Sequence, residues 1–389
     1  MNELSPSQAA AIAKGVYLLK DQGVQASRAE GDRLGSENLF HVEDSSRFEG
    51  RTGNMLWHTL SGCGYIAAGT GAFAGDVLIV TRGTVSMADW LSNANIAVQV
   101  SPAGLPVHAG FNQVWKSFQP KLTEFLRGRN PTRIHCVGHS LGGALATINA
   151  DMISAGRIAD VVLYTFGCPR TGDGIFARAL TRRVGAAQIH RVYHPSDPVP
   201  MIPLFPFWHA PVGQAGLAIS NAKTGLIDAS AHGMLDSYIP AVSGSSWSGL
   251  ASAASARADE ERQVQGWLER SAQGQSGFVM GSARLLDMLG RALRWLLHGA
   301  LKLSGHGLSA TISVGATVID QVAWALSTGA SLSRQVAGYV KTLIGAIFRF
   351  LGRSTDAVAD VTVAFLRWVL ALLYTSLRAA AEGALARLR

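Results

Sequence analysis

The sequence predicts an α/β fold followed by an all-α region, and three observations carry that prediction. Strand-length apolar runs at Asp76–Thr81, Ile134–Val137, Val161–Phe166 and Gln188–Tyr193 alternate with helical stretches. Such alternation argues a mainly parallel sheet with covered faces. One of these strands ends in Gly138-His-Ser-Leu-Gly142 and passes into a helix of small residues, Gly143 to Ala150. From about Gly281 onward the chain is rich in Leu, Ala and Val with isolated Arg and Lys. The expected organisation is therefore an α/β domain over 1–240, a Ser/Gly/Ala-rich linker over 241–280 and a helical region over 281–389.

A chain of 389 residues has room for two domains and for a substantial core without disulfides. Its three cysteines, Cys63, Cys136 and Cys168, are odd in number and lack metal spacing. Cys136 and Cys168 fall inside predicted strands and read as small core hydrophobes. No cofactor and no metal is expected. The start, Met1-Asn-Glu-Leu-Ser-Pro-Ser-Gln, shows no basic segment followed by an apolar stretch, so no signal peptide is visible. The net charge of +8 is uneven: residues 282–389 hold 12 Lys/Arg against 5 Asp/Glu. Basic residues are sparse there and apolar ones dominate, which argues against nucleic acid as a partner.

Taken in order, Ser5-Pro6-Ser7-Gln8 predicts a helix start. Ser5 is the N-cap, Pro6 fits the first helical position and Gln8 closes a capping box. The helix should stop before Gly23. Residues 24–60 are polar and predict no firm element. Tyr65–Gly71 and Asp76–Thr81 read as strands, and a helix is expected from Val107 to about Arg127. After the serine turn come the strand 161–166, a helix from Ile175 to Arg183 and the strand 188–193. Residues 202–231 form a Pro- and Gly-rich loop region.

The chemistry centres on Gly138-His-Ser140-Leu-Gly142. A serine on a sharp strand-to-helix turn is the nucleophile-elbow arrangement. Side chains two residues either side would collide with strand and helix, so glycine is required there. The turn aims the Leu141 N–H at the place where a tetrahedral oxyanion forms. Thr84, at the end of the strand 76–81, supplies the second donor. A serine nucleophile needs a base and an orienting carboxylate, in the chain order Ser, Asp, His. Asp197, held between Pro195 and Pro198, is the acid, with Asp173 and Asp160 as rivals. His232 is the base, with His209 as rival; His298 and His306 lie outside the α/β unit. His139 reads as structural, and His108 as packing beside the elbow.

These residues carry a family resemblance over about 60–240. The matches are Val80-Thr-Arg-Gly-Thr84 with Asp89-Trp90, Val107-His-Ala-Gly-Phe111, Gly138-His-Ser-Leu-Gly-Gly-Ala-Leu-Ala146, Thr165-Phe-Gly-Cys-Pro-Arg-Thr-Gly172, Asp197-Pro-Val-Pro200 and His232 followed by Tyr238. In this order they resemble the class 3 lipases, the fungal-lipase-like branch of the α/β-hydrolases. The resemblance implies a triad of Ser140, Asp197 and His232, oxyanion donors at Thr84 and Leu141, and a lid after Trp90, over 88–106. It does not cover the C-terminal third.

That third predicts amphipathic helices. Arg284 and Arg291, then Arg334 and Lys341, stand seven apart among apolar residues, on one helical face. Such faces suit an anionic membrane surface, and equally helices packed on the α/β domain or on each other. No twenty-residue stretch is free of charge, as a simple span requires. The implied function is hydrolysis of lipid carboxylic esters by a lipase or phospholipase A-type enzyme. A lipase with a basic apolar tail and no visible signal peptide resembles in outline the antibacterial lipase effectors of contact-dependent secretion systems. That implies a chain made in the cytoplasm, exported without a signal peptide and acting at a membrane, with a secretion-apparatus or inhibitor protein as partner. The alternative is a membrane-active or partner-binding protein that uses the hydrolase fold as a delivery scaffold.

Overall fold

The structure is a computed structural model. It describes residues 2–33, 39–43, 46–54, 57–83, 98–203, 206–214, 216–219, 228–255, 266–271, 288–290, 292–293, 295–296, 300, 318–353 and 361–386. The N-terminal helix α1, Pro6–Gly15, starts as its sequence requires. The Ser5 side chain accepts from the Gln8 N–H, and the Gln8 side chain accepts from the Ser5 N–H. Helical chain continues beyond the expected stop through a turn at Val16–Leu18 and α2, Leu19–Arg33. Gly23 marks the break, with φ 82, which glycine adopts without steric cost.

Strands β1 (Phe40–His41), β2 (Arg47–Asn54) and the first half of β3 (Trp57–Gly69) fill a region where the sequence predicts no firm element, while the end of β3 coincides with the strand expected from Tyr65. Next come β4 (Val77–Thr81), β5 (Val98–Val100), β6 (Pro106–His108) and the helix α3 (Ala109–Leu126). Strand β7 (Arg133–His139) leads to α4 (Leu141–Ala155), then β8 (Asp160–Phe166), β9 (Gly172–Asp173), α5 (Gly174–Val184) and β10 (Ile189–Tyr193). Two short strands follow, β11 (Phe207–Trp208) and β12 (Leu217–Ala218).

The main sheet runs β1-β3-β4-β7-β8-β10-β12, with β2 also paired to β3. From β4 to β12 it is parallel; β1, β2 and β3 make it antiparallel at one side. The parallel part is what the apolar runs predict. A small second sheet, β11-β9-β6-β5, is antiparallel. Alternate residues of the central strands face opposite layers, as strand geometry demands. Val77, Ile79, Cys136 and Leu163 pack towards α3 and α4. Leu78, Val80, Val137 and Val162 pack towards α1. All three cysteines are buried free thiols.

The last helices of the α/β part are α6 (Ile239–Val242) and α7 (Trp247–Ser255). Within the expected linker, Trp247 stacks on His190 at 4.1 Å and its N–H donates to the Leu4 carbonyl at 2.8 Å. The C-terminal helices α8 (Val318–Leu332), α9 (Arg334–Phe350) and α10 (Val363–Ala386) share one continuous apolar core with α3 and α4. Helix α10 packs along α8 and also against the turns Val199–Met201 and Ala229–His232. By length and composition α10 is apolar enough to cross a membrane.

Candidate active site

Strand β7 delivers Ser140 with φ 58 and ψ −133, a conformation that L-residues rarely adopt. Backbone strain of this kind costs about 1–3 kcal/mol and persists only where neighbours enforce it. Here they do. The Ser140 N–H donates to the Phe166 carbonyl at 2.9 Å, which ties the turn to β8. A side chain at Gly138 would sit 2.2 Å from the Gly142 carbonyl oxygen, and one at Gly142 would sit 2.1 Å from that of Thr81. Both glycines are therefore required by space. Leu141 opens α4, whose first N–H groups have no partner within the helix and point toward the turn. Gly83, just beyond β4, lies against the nucleophile: a Cβ there would stand 3.1 Å from Ser140 Cβ. Thr84 itself, like residues 88–97 of the expected lid, lies outside the described residues.

Asp197 follows β10 in a turn closed by its own N–H donating to the His194 carbonyl at 3.0 Å. Its Oδ1 accepts the Val199 N–H at 2.9 Å. Its Oδ2 accepts from His232 Nδ1 at 2.8 Å and from the Tyr238 hydroxyl at 2.6 Å. The carboxylate is fully buried, so these donors replace water on it. Burial and the adjacent carboxylate push the Tyr238 hydroxyl well above the usual tyrosine range, which keeps it a donor. Of the rival acids, Asp173 caps α5 by accepting from the Ile175 and Phe176 N–H groups. Asp160 begins β8 and is exposed.

His232 ends the turn Ala229–His232, which Asp228 initiates by accepting the Ser230 N–H at 2.7 Å. The Asp228 N–H donates to the Ser196 carbonyl, so the turns of the acid and the base are joined. Gly167, at φ 56, makes room for the pair: a Cβ there would lie 2.9 Å from Asp197 Oδ2 and 3.0 Å from His232 Nδ1. Ser140 and His232 are both 0% exposed. The expected Ser140–His232 hydrogen bond is not formed. Ser140 Oγ and His232 Nε2 are each buried without a partner among the described residues. Catalytic hydrogen bonds of this type are commonly long before substrate binds and tighten only in the complex.

The other histidines sort by their partners. His139 accepts from the Tyr17 hydroxyl at Nδ1, 2.7 Å, and donates from Nε2 to the His232 carbonyl at 2.9 Å. Burial and the neighbouring His232 hold its imidazole well below its ordinary pKa, in the neutral form with one donor and one acceptor that these bonds need. His209 donates to the Pro200 carbonyl at 2.8 Å and so braces its loop. His108 stands in β6 between Phe111 and Phe207. His298 and His306 lie outside the described residues. Among the described residues no cluster of His, Cys, Asp or Glu is arranged to hold a metal ion.

Two residues enter the site without a role predicted from sequence. Tyr238 closes the last matched motif, but its hydroxyl contact with Asp197 depends on the irregular turn Met234–Tyr238. Tyr17 comes from the far N-terminus and lies 122 positions from His139.

Parts of the chain are similar to known proteins. A family model described as Lipase (class 3) matches residues 78–207. "Secreted mono- and diacylglycerol lipase 1" of Fusarium solani is 34% identical over 134 residues, covering 33% of this chain and 39% of that protein. "Phospholipase A1-II 4" of Oryza sativa subsp. japonica is 31% identical over 188 residues, covering 39% of this chain and 46% of that protein. The chain thus spans less than half the length of these relatives. The nonglycosylated LIP2 lipase of Yarrowia lipolytica superposes with a TM-score of 0.44 at 19% identity, over 56% of this chain and 80% of that one. Over residues 78–207, the α/β unit built around Ser140 is thus similar to the class 3 lipases.

Proposed function

We propose that this chain is a serine carboxylic ester hydrolase acting on lipid, of lipase or phospholipase A type. The observation that carries the reading is the buried His232–Asp197 pair at 2.8 Å, beside a serine on a strained elbow. Two of the relatives are named for mono- and diacylglycerols and for phospholipase A1 activity, so glyceride and glycerophospholipid esters are the proposed substrates.

Ser140 Oγ attacks the ester carbonyl carbon as His232 Nε2 takes its proton. Asp197 holds the ring by Nδ1 and balances the imidazolium that forms. The carbonyl oxygen becomes an oxyanion at the Leu141 N–H, with Thr84 as second donor. The C–O bond to the alcohol breaks, and the departing oxygen takes the proton back from His232. Water, deprotonated by His232, then attacks the acyl-serine, and the fatty acid leaves as Ser140 regains its proton.

The C-terminal region brings this unit to an anionic membrane. Delivery to a competitor's membrane by a secretion apparatus, with an inhibitor protein to protect the producer, fits the same design. The deciding experiment compares wild type and Ser140→Ala on p-nitrophenyl butyrate and on vesicles of phosphatidylglycerol, phosphatidylethanolamine and diacylglycerol. Fatty-acid release by the wild type alone is expected. Equal release by both, or membrane damage that survives the substitution, would favour the delivery-scaffold alternative.

A further inference from the structure

Tyr17 stands in the turn Val16–Leu18, between α1 and α2, yet its hydroxyl reaches the elbow. It donates at 2.7 Å to Nδ1 of His139, the residue before Ser140. The same oxygen lies against Gly83. A Cβ at Gly83 would stand 2.5 Å from it, and 3.1 Å from both the His139 carbonyl oxygen and Ser140 Cβ. Gly83 immediately precedes Thr84, the proposed second oxyanion donor. Burial pushes the Tyr17 phenol well above the usual tyrosine range, although Arg82 and a hydrogen bond from the Gly83 backbone pull the other way. The phenol therefore keeps its proton and remains a donor to His139.

That donor decides the state of the next ring. His139 Nδ1 accepts, so the one proton of the neutral imidazole sits on Nε2. From there it donates to the His232 carbonyl at 2.9 Å, and the two imidazole rings lie 4.5 Å apart. The turn of the base thus rests on His139 through its backbone and its ring. The other tautomer would set a lone pair against the His232 carbonyl. Docking of α1 does not depend on this hydroxyl. Ala9, Ala13 and Val16 are buried in the core beneath the sheet. The Leu4 N–H donates to the Tyr164 hydroxyl at 3.1 Å, and the Leu4 carbonyl accepts from Trp247 at 2.8 Å. Removing one oxygen from Tyr17 therefore leaves the fold its anchors and alters the spacing within the site.

We propose that Tyr17 is a positioning residue of the ester hydrolysis, holding the base and the oxyanion side of the site at one spacing through His139 and Gly83. This deepens the hydrolase reading above and rests on it. Ser140 Oγ and His232 Nε2 share no hydrogen bond in this structure, so the reaction needs a small, well-aimed approach of the base to the elbow. Tyr17 and His139 set where that approach begins. A misplacement of about 1 Å in such groups costs about a hundredfold in rate.

The test uses the full chain. Tyr17→Phe keeps the ring and removes the hydroxyl. With the circular dichroism spectrum unchanged, kcat on p-nitrophenyl butyrate should fall at least about tenfold while KM stays within about twofold. A cycle with His139→Phe tests the route. The double variant should lose little more than His139→Phe alone, because both substitutions break one chain of bonds. Nitrogen-15 NMR of the histidine side chains reads the same chain without turnover. In the wild type His139 should be neutral with its proton on Nε2, and Tyr17→Phe should shift or broaden that signal. Should the His139 variant fold poorly, the spectra of wild type and Tyr17→Phe decide. Full kcat in folded Tyr17→Phe, a change confined to KM, or losses that multiply in the double variant overturn the proposal. So does a wild-type His139 with its proton on Nδ1. A wild type that neither hydrolyses the ester nor reacts with a fluorophosphonate removes the hydrolase reading instead. The NMR change in Tyr17→Phe would then still support the link between Tyr17 and the turn of His232.

Discussion

The Tyr238 hydroxyl donates to Asp197 Oδ2 at 2.6 Å, on the same carboxylate oxygen that holds His232. The tyrosine also accepts the His194 N–H at 3.2 Å, so one phenol joins the acid's turn to the segment that follows the base. Tyr238→Phe leaves that N–H and half of the carboxylate oxygen's partners unsatisfied. Stability should fall by about 1–3 kcal/mol. kcat on a soluble ester should fall roughly tenfold with KM little changed, because the ring of His232 loses its fixed orientation. Denaturant midpoints and steady-state kinetics on the same preparation check both. A variant that melts lower yet keeps full kcat would leave Tyr238 a purely structural residue.

Gly167 separates β8 from the acid–base pair by the absence of a side chain. Gly167→Ala places a methyl group 2.9 Å from Asp197 Oδ2 at a positive φ. The pair must move, and small displacements of catalytic groups cost about a hundredfold in rate. The expected outcome is a folded protein with kcat/KM reduced at least that far, and with slower labelling of Ser140 by a fluorophosphonate. Labelling at the wild-type rate would show that the pair tolerates the methyl group.

The pH dependence of stability should carry a signature of His108. Burial between two phenyl rings lowers its imidazole from the ordinary 6.5 to about 4. As pH falls through 6.5 the unfolded chain takes up this proton first, while the folded protein does so only near pH 4. The stabilisation is therefore complete above about pH 6.5 and is lost progressively as pH falls toward 4, by roughly 3 kcal/mol for this one group. His108→Leu should flatten that part of the curve. Urea midpoints at pH 7 and 4.5 for both proteins measure it, and parallel curves would contradict the assignment.

From the sequence, the α/β unit should hydrolyse a soluble short ester without residues 282–389 provided that region is not also core. The packing of α10 shows that the condition is not met. Leu366, Val369, Leu373 and Leu377 are buried in the same core as Val199 and Ile202, which lie just beyond Asp197. Truncation at Gly281 exposes those residues and frees the turn of His232. Soluble-ester turnover should fall at least tenfold and the thermal midpoint should drop. Unchanged turnover would mean that the turn holds its shape without α10.

Much of this site is written locally. Gly138 and Gly142 are fixed by the collisions that any Cβ would make, and chain order with strand ends favours Asp197 over Asp173 and Asp160, and His232 over His209. The strands β4, β7, β8 and β10 announce themselves because both faces of a covered parallel sheet are apolar. What escaped depends on distance or on irregular backbone. Tyr17 reaches His139 only after α1 has packed beneath the sheet. Strand β2 and the first half of β3 have no continuous apolar run, so polar and glycine-rich residues conceal them. The seat of α10 on the turn Ala229–His232 joins a region with lipase motifs to one without them, and no local pattern records such a contact.

The reach between Tyr17, His139 and His232 also bears on when the chain can first act. During synthesis Ser140 emerges well before His232, the residue proposed to deprotonate it, and His139 and His232 are 93 positions apart. On the proposed mechanism, an elbow formed before His232 is in place has no base, and reactivity requires the turn Ala229–His232 to dock onto His139, which Tyr17 holds from the other side. Misassembly of either the N-terminal helices or the turn Ala229–His232 should then yield a silent protein rather than an uncontrolled one.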